Sequence, residues 1–206
     1  MSQNLDLIER IVEQEWNQFQ DVNNEGGPAN CQGNWPTFRV MRMSQFLTWD
    51  DDVLESYDAD LKKCETTHRN LLTEKYARMM ASTDPQYYEH KLKPYLAQLD
   101  PERIALQEHI IGQQLIWAKR FHQLYPHLGE NMRVMETRED TRDVTSFETY
   151  LRGELSTYSD ETLRLYATMI ERYAAEDSNI TEETVLWTVK LSGHPNLAAA
   201  EKYLAG

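Results

Sequence analysis

The chain has 206 residues, 40% of them hydrophobic and 10% aromatic, which is the size of one domain and enough to bury a core without disulfides or a metal. Its formal net charge of −13 repels phosphate backbones and anionic lipid surfaces, so nucleic-acid and membrane-surface partners are disfavoured. No apolar run reaches the roughly 20 residues of a membrane span, and the N-terminal Met1-Ser2-Gln3-Asn4-Leu5-Asp6 lacks a signal peptide's basic start and apolar run, so the expected compartment is the cytoplasm.

Residues 4–22 read as a helix, with Leu5, Ile8, Val12, Trp16 and Phe19 recurring at three- and four-residue steps. Residues 23–36 are a turn-rich loop carrying Glu25-Gly26-Gly27 and Cys31. Helix resumes over 37–49, capped by Thr37, and residues 52–82 read as one long helix with Leu54, Tyr57, Leu61, Cys64, Leu71, Leu72 and Met79 on one face. A shorter helix over 84–97 is interrupted at Pro94. Asp100-Pro101-Glu102 is a strong start signal for a helix that ends before Pro126.

Residues 127–144 are a charged loop. Thr145 and Glu148 read as a capping box, Ser159 caps the next helix, and Thr181 caps another with Ile180 and Val185 as a hydrophobic staple. A short helix over 195–204 closes the chain. Nothing alternates with a period of two, and no repeat or linker divides residues 1–206. The expectation is an all-α single domain, an irregular bundle of about seven to nine helices with no significant sheet.

Several charged residues fall on faces that should be apolar. A helix turns about 100° per residue, which places Glu15 between Ile8 and Val22, and Arg42 and Gln45 between Phe38 and Trp49. The helix carrying Arg42 is apolar nearly all round and is expected to be central. Lys75 and His68 sit on the stripe from Leu61 to Met79, flanked by Arg78. Glu108 and His122 share the line of Ile104, Ile111 and Leu115, and Glu154 falls between Leu151 and Tyr158.

Singly, Lys75, Glu108, His68 and His122 are explained by a stripe wider than the buried zone, or by side chains that snorkel to water. Arg42 and Glu154 resist that explanation because large aromatics flank them. A buried arginine keeps its charge and demands a carboxylate. Glu15, Arg42, Lys75 and Glu154 carry both signs and can neutralise one another, as a structural network or as a ligand site.

Other chemistry is thinly signalled. A dimetal carboxylate bundle needs two Glu-x-x-His pairs, and the chain has one, Glu65 with His68. No transition-metal site is therefore expected, though a carboxylate-held Mg²⁺ or Ca²⁺ stays open. Cys31 has no neighbouring base to activate it, and Cys64 belongs to an apolar stripe. The Glu25-Gly26-Gly27 turn is neither a P-loop nor a dinucleotide fingerprint. The 127–144 loop is long enough to be a lid, but a solvated connection is its usual meaning.

Three stretches carry a resemblance: residues 22–29 (VNNEGGPA) continuing to 41–46 (MRMSQF), residues 70–80 (NLLTEKYARMM), and residues 145–155 (TSFETYLRGEL). Together they resemble an uncharacterised bacterial family, DUF 4125, over nearly the whole chain. The resemblance implies no established activity, so no catalytic residue carries over. It implies a compact cytoplasmic unit, related to chains found beside nucleotidyltransferase-like domains. Its motifs contain Glu25, Arg42, Gln45, Lys75 and Glu154.

The leading expectation is a pocket between helices for a small polar or anionic molecule. Arg42 and Lys75 would hold the anionic group, with Glu25 and Gln45 also binding. Glu15 or Glu154 would be a general base, its pKa raised by burial. One alternative is a non-catalytic protein-interaction module whose buried charges are a structural network. The other is a carboxylate metal-binding protein. The sequence names no cofactor, and it allows a homo-oligomer.

Overall fold

Asparagine and serine caps set most of the helix starts. Asn4, Asn34, Asn70, Asn179 and Asn196, together with Asp84, Asp100, Ser146 and Ser159, each accept a hydrogen bond from a backbone N–H in the first turn. The computed structural model describes residues 4–22 and 30–206, without the side chains of Asn30 and Cys31. Glu25 lies outside the described residues. Among those described there are eleven α-helices and no strand.

In order they are α1 (Leu5–Gln20), α2 (Trp35–Phe46), α3 (Asp51–Thr67), α4 (Leu71–Thr83), the single turn α5 (Pro85–Tyr87), α6 (Pro101–Leu124), α7 (Pro126–Glu130), α8 (Phe147–Leu155), α9 (Asp160–Ala175), α10 (Ile180–Leu191) and α11 (Leu197–Ala205). A π-turn and a 3-10 turn, Tyr88–Leu92 and Lys93–Tyr95, extend α5. The all-α expectation holds, but the count exceeds seven to nine, for identifiable reasons.

The predicted long helix is two. Thr66 and Thr67 turn their hydroxyls back onto the Lys63 carbonyl, both at 2.9 Å. His68 adopts the left-handed region at φ 54°, and the Arg69 N–H returns to the Cys64 carbonyl at 3.2 Å, the closing pattern of a helix C-terminus. Asn70 then caps α4 by accepting from the Thr73 N–H at 2.8 Å, while its own amide donates to the Gln18 carbonyl at 2.7 Å. The charged 127–144 stretch also holds the short helix α7, because Pro126 both ends α6 and starts α7.

Three caps differ from expectation. Asn34 rather than Thr37 caps α2, with Pro36 in its first turn, and Asn179 rather than Thr181 caps α10. Ser146 rather than Thr145 caps α8, which frees the Glu148 carboxylate to accept from the Thr137 N–H at 2.7 Å and to pair with Arg152.

The main core draws on α1, α2, α3, α4, α6, α8, α9 and α10, with Ile8, Ile11, Phe46, Leu54, Tyr57, Ile110, Leu155 and Leu163 fully enclosed. A smaller cluster joins α6, α7, α10 and α11 around Phe121 and Leu197. Another joins α1 to α4 through Phe19, Val22 and Leu72. Helix α2 packs against α1 and α10, but it is not enclosed along its length as expected: Arg42, Met43, Ser44 and Phe46 are buried, while Pro36, Thr37 and Met41 are exposed. Helix α4 packs on α8 at the position of Gly153, where a Cβ would stand 2.9 Å from Met79 Cγ and 3.0 Å from the Lys75 carbonyl oxygen. That close approach brings Lys75 to Glu154. No described helix is long and apolar enough to cross a membrane.

Candidate functional site

Four helices each contribute a charge they cannot neutralise alone. Glu15 stands on the buried face of α1, Arg42 on α2, Lys75 on α4 and Glu154 on α8, and all four are buried. The structure brings them together.

Arg42 is the hub. Its Nε and Nη2 donate to the two oxygens of Glu15, each at 2.6 Å, in a bidentate fork. Nη2 also donates to Glu154 Oε1 at 3.1 Å. Nη1 donates to Gln45 Oε1 at 2.6 Å and, more weakly, to Glu154 Oε2 at 3.5 Å. A guanidinium has five N–H groups, and all five are committed. Lys75 Nζ donates to Glu154 Oε2 at 2.5 Å and lies 3.4 Å from the centre of the Tyr150 ring. Gln45 bridges the cluster, since its Nε2 donates to Glu154 Oε1 at 2.8 Å while its oxygen serves Arg42.

Two tyrosines complete the set. Tyr57 OH donates to Glu15 Oε1 at 2.7 Å, and Tyr158 OH donates to Glu154 Oε1 at 3.1 Å. The sequence reading had Tyr57 and Tyr158 only as apolar-face residues and did not single out Tyr150. The signal was present: Tyr150, Glu154 and Tyr158 stand at four-residue steps, so one face of α8 and the turn after it presents all three.

The electrostatics follow from this bonding. Two carboxylates and two cations sum to zero. For Glu154, burial pushes the pKa upward, but the charges of Arg42 and Lys75 and the hydrogen bonds from Lys75 and Gln45 outweigh it and hold the group well below the usual carboxylate range. The expected raised pKa of a general base is therefore corrected for Glu154, because two cations face it. Burial opposes the charge of Arg42, yet Glu15 and Glu154 hold its pKa well above the ordinary arginine value. Burial, then the neighbouring carboxylates, pushes Tyr57 and Tyr158 well above the ordinary phenol.

A cavity touches this cluster, lined by Glu15, Arg42, Lys75, Tyr150 and Glu154 with Phe38 and Tyr76. It measures about 20 Å³, room for about one water molecule and far below the ~300–1,000 Å³ of ligand pockets.

The remaining flagged residues do not join. His68, Glu108 and His122 are exposed, Glu108 pairing with Arg152 across to α8. The break at His68 removes the Glu65–His68 helical spacing. Among the described residues no group of three or more acidic, histidine or cysteine side chains converges as a metal site would. Arg78 turns away and donates to the Ala97 carbonyl at 2.7 Å.

No curated protein and no solved structure matches the chain. The model of one family, described as "Protein of unknown function (DUF4125)", matches residues 5–202, and the chain belongs to that family.

Proposed function

We propose that the chain is a cytoplasmic, non-catalytic interaction module in which the buried ionic cluster locks the helices together and the acidic exterior meets the partner. The observation that carries this reading is the saturation of the cluster. Every N–H of Arg42 and both ends of Gln45 are spent on partners inside the protein, and the adjoining space holds about one water. An anion-binding arginine needs donors to spare, and a general base needs a pKa near working pH. Neither condition is met at Arg42 or Glu154. The cluster is neutral, so the whole excess of negative charge lies outside it and favours a basic partner.

A second reading, a pocket for a small anionic molecule, rests on Lys75. Among the described residues its ammonium makes one hydrogen bond, to Glu154, and it borders the cavity beside Tyr150 and Tyr76. Here the cavity would have to enlarge by displacing the aromatic rings around it.

A thermal-shift screen against small acids, phosphates and metals, run on the wild type and on Arg42→Met, separates the two. The lock reading predicts a large loss of stability in the variant and no compound whose effect depends on Arg42. A compound that stabilises the wild type but not a folded Arg42→Met protein would overturn it in favour of the pocket.

A further inference from the structure

A larger space lies across the Tyr150 ring from Lys75, since the same ring carries Arg133 at the edge of that space. The C-terminal end of α6, helix α7 and the segment through Glu139 border an open cleft of about 500 Å³, inside the volume range of small-molecule sites. Its walls are pinned from behind. Glu201 on α11 accepts from the backbone N–H groups of His127 and Leu128 at 2.9 and 2.8 Å, fixing the first turn of α7. On the other side Asp140 accepts from the Ser146 N–H and from the hydroxyls of Ser82 and Thr149, all within 2.5–2.6 Å. The cleft is thus preformed by contacts that do not fill it.

The polar groups facing it are unevenly committed. Lys119 is paired with Glu136, and Glu139 accepts from the Glu136 N–H at 2.8 Å. Among the described residues the side chains of His122, Gln123 and Glu130 make no hydrogen bond or ion pair. Arg133 donates to the Thr145 carbonyl at 3.2 Å and lies over the Tyr150 ring, and among the described residues it forms no ion pair. His122 is held by shape. A Cβ at Gly129 would stand 2.6–3.1 Å from three atoms of its imidazole, so only glycine lets that ring lie against α7. Met132, Val134 and Met135 supply an apolar lining between the charged groups.

We propose that this cleft binds a zwitterionic small molecule with an apolar side chain, of the class of free amino acids and dipeptides. Glu130, without an ion pair among the described residues, suits an ammonium group, and Arg133, likewise without one, suits a carboxylate. A pure anion would face Glu130 and Glu139, and a pure cation would face Arg133 and Lys119. A molecule carrying both charges satisfies both, with its side chain on Met132 and Met135. The proposal uses none of the four buried charges and so does not rest on the lock, although Arg133 shares the Tyr150 ring with Lys75.

The test is calorimetric titration of the full chain with leucine, methionine, phenylalanine and their dipeptides, beside N-acetyl and C-amide forms. At least one free form is expected to bind the wild type, with each blocked form weaker by tenfold or more. Glu130→Gln should weaken binding of the free form but not of the N-acetyl form. Arg133→Gln should do the same for the carboxylate end. Both positions are exposed, and circular dichroism checks that the variants fold. Gly129→Ala, which displaces the His122 ring, should weaken binding of all forms. No heat at millimolar free amino acid or dipeptide, equal binding of blocked and free forms, or indifference to both charge substitutions would each overturn the assignment.

Discussion

Replacing Arg42 with methionine tests the lock most directly. The substitution keeps an unbranched apolar stem and deletes the guanidinium. Glu15 then retains one hydrogen bond, from Tyr57, and no cation, while Glu154 keeps Lys75, Gln45 and Tyr158. A buried carboxylate without its partner costs about 3–5 kcal/mol. At roughly 2–4 °C per kcal/mol for a chain of this size, the melting temperature should fall by roughly 6–20 °C. The double variant Glu15→Gln with Arg42→Met removes the stranded charge and leaves Lys75 and Glu154 as a neutral pair. It should be more stable than the two single losses summed, with a coupling of about 1–3 kcal/mol. Urea unfolding followed by circular dichroism measures all four proteins. A loss below about 1 kcal/mol for Arg42→Met, or strict additivity in the cycle, would show that the cluster holds nothing together.

Other expectations follow from the same geometry. Glu154 has a folded pKa below its unfolded value near 4.5, so its contribution is complete above that value and is lost as pH falls below it towards the folded pKa; urea midpoints should decline below about pH 4.5, and Glu154→Gln should flatten that decline, whereas a midpoint that rises on acidification contradicts the assignment. Gly153→Ala gains about 1 kcal/mol of helix propensity but drives a methyl into the Lys75 carbonyl and Met79, so a net loss of about 1–2 kcal/mol is expected; a stabilised variant would mean that α4 and α8 separate freely. His68→Gly relieves a non-glycine residue at φ 54° on an exposed turn and should stabilise by about 0.5–1 kcal/mol, read from the same unfolding curves, with no gain arguing against the left-handed cap.

The four charges were legible because each breaks a local rule. Glu15 interrupts a run of aliphatic residues on α1, and Glu154 sits between Leu151 and Tyr158, so helical periodicity alone marks them as inward. Their meeting was not legible, and neither was the room left between them. Periodicity gives a side chain's direction and not its distance from a facing helix. The same residues a few ångströms further apart would line a pocket. What closed the space is the approach of α4 to α8 at Gly153, a contact no single-helix pattern contains. The break at His68 was hidden for a different reason. Thr66-Thr67-His68-Arg69-Asn70 contains neither glycine nor proline, and the turn is made by threonine back-bonding and a left-handed histidine, both weakly encoded. Glu108 and His122 looked inward because they share the line of Ile104, Ile111 and Leu115, but only Ile111 on that line is fully buried and Ile104 is exposed, so the line follows the edge of the buried face rather than its centre. The buried face of α6 runs instead through Gln107, Ile110, Ile111, Gln114, Trp117 and Phe121.

The distribution of the cluster also bears on why a protein would keep it. An apolar replacement of similar volume is often as stable as a buried ion pair or more so, so stability alone is a poor reason for four buried charges. Their value lies in what other packings would cost. Glu15, Arg42, Lys75 and Glu154 come from α1, α2, α4 and α8, and Tyr57 adds α3. A register shift or misplacement of any one of these helices strands at least one charge in an apolar environment, whereas aliphatic side chains at the same positions would tolerate many near-native arrangements. The helix pairs α1–α2, α1–α3, α1–α4 and α4–α8 are already in contact, and the cluster adds a set of bonds that is complete only when all five helices are in place at once. The five helices are therefore expected to unfold as one unit. Hydrogen exchange should give the most protected amides of α1, α2, α4 and α8 a common opening free energy, which Arg42→Met should lower together. Separate opening energies for α4–α8 and α1–α2 would mean that the cluster is a passenger in a core that needs no lock.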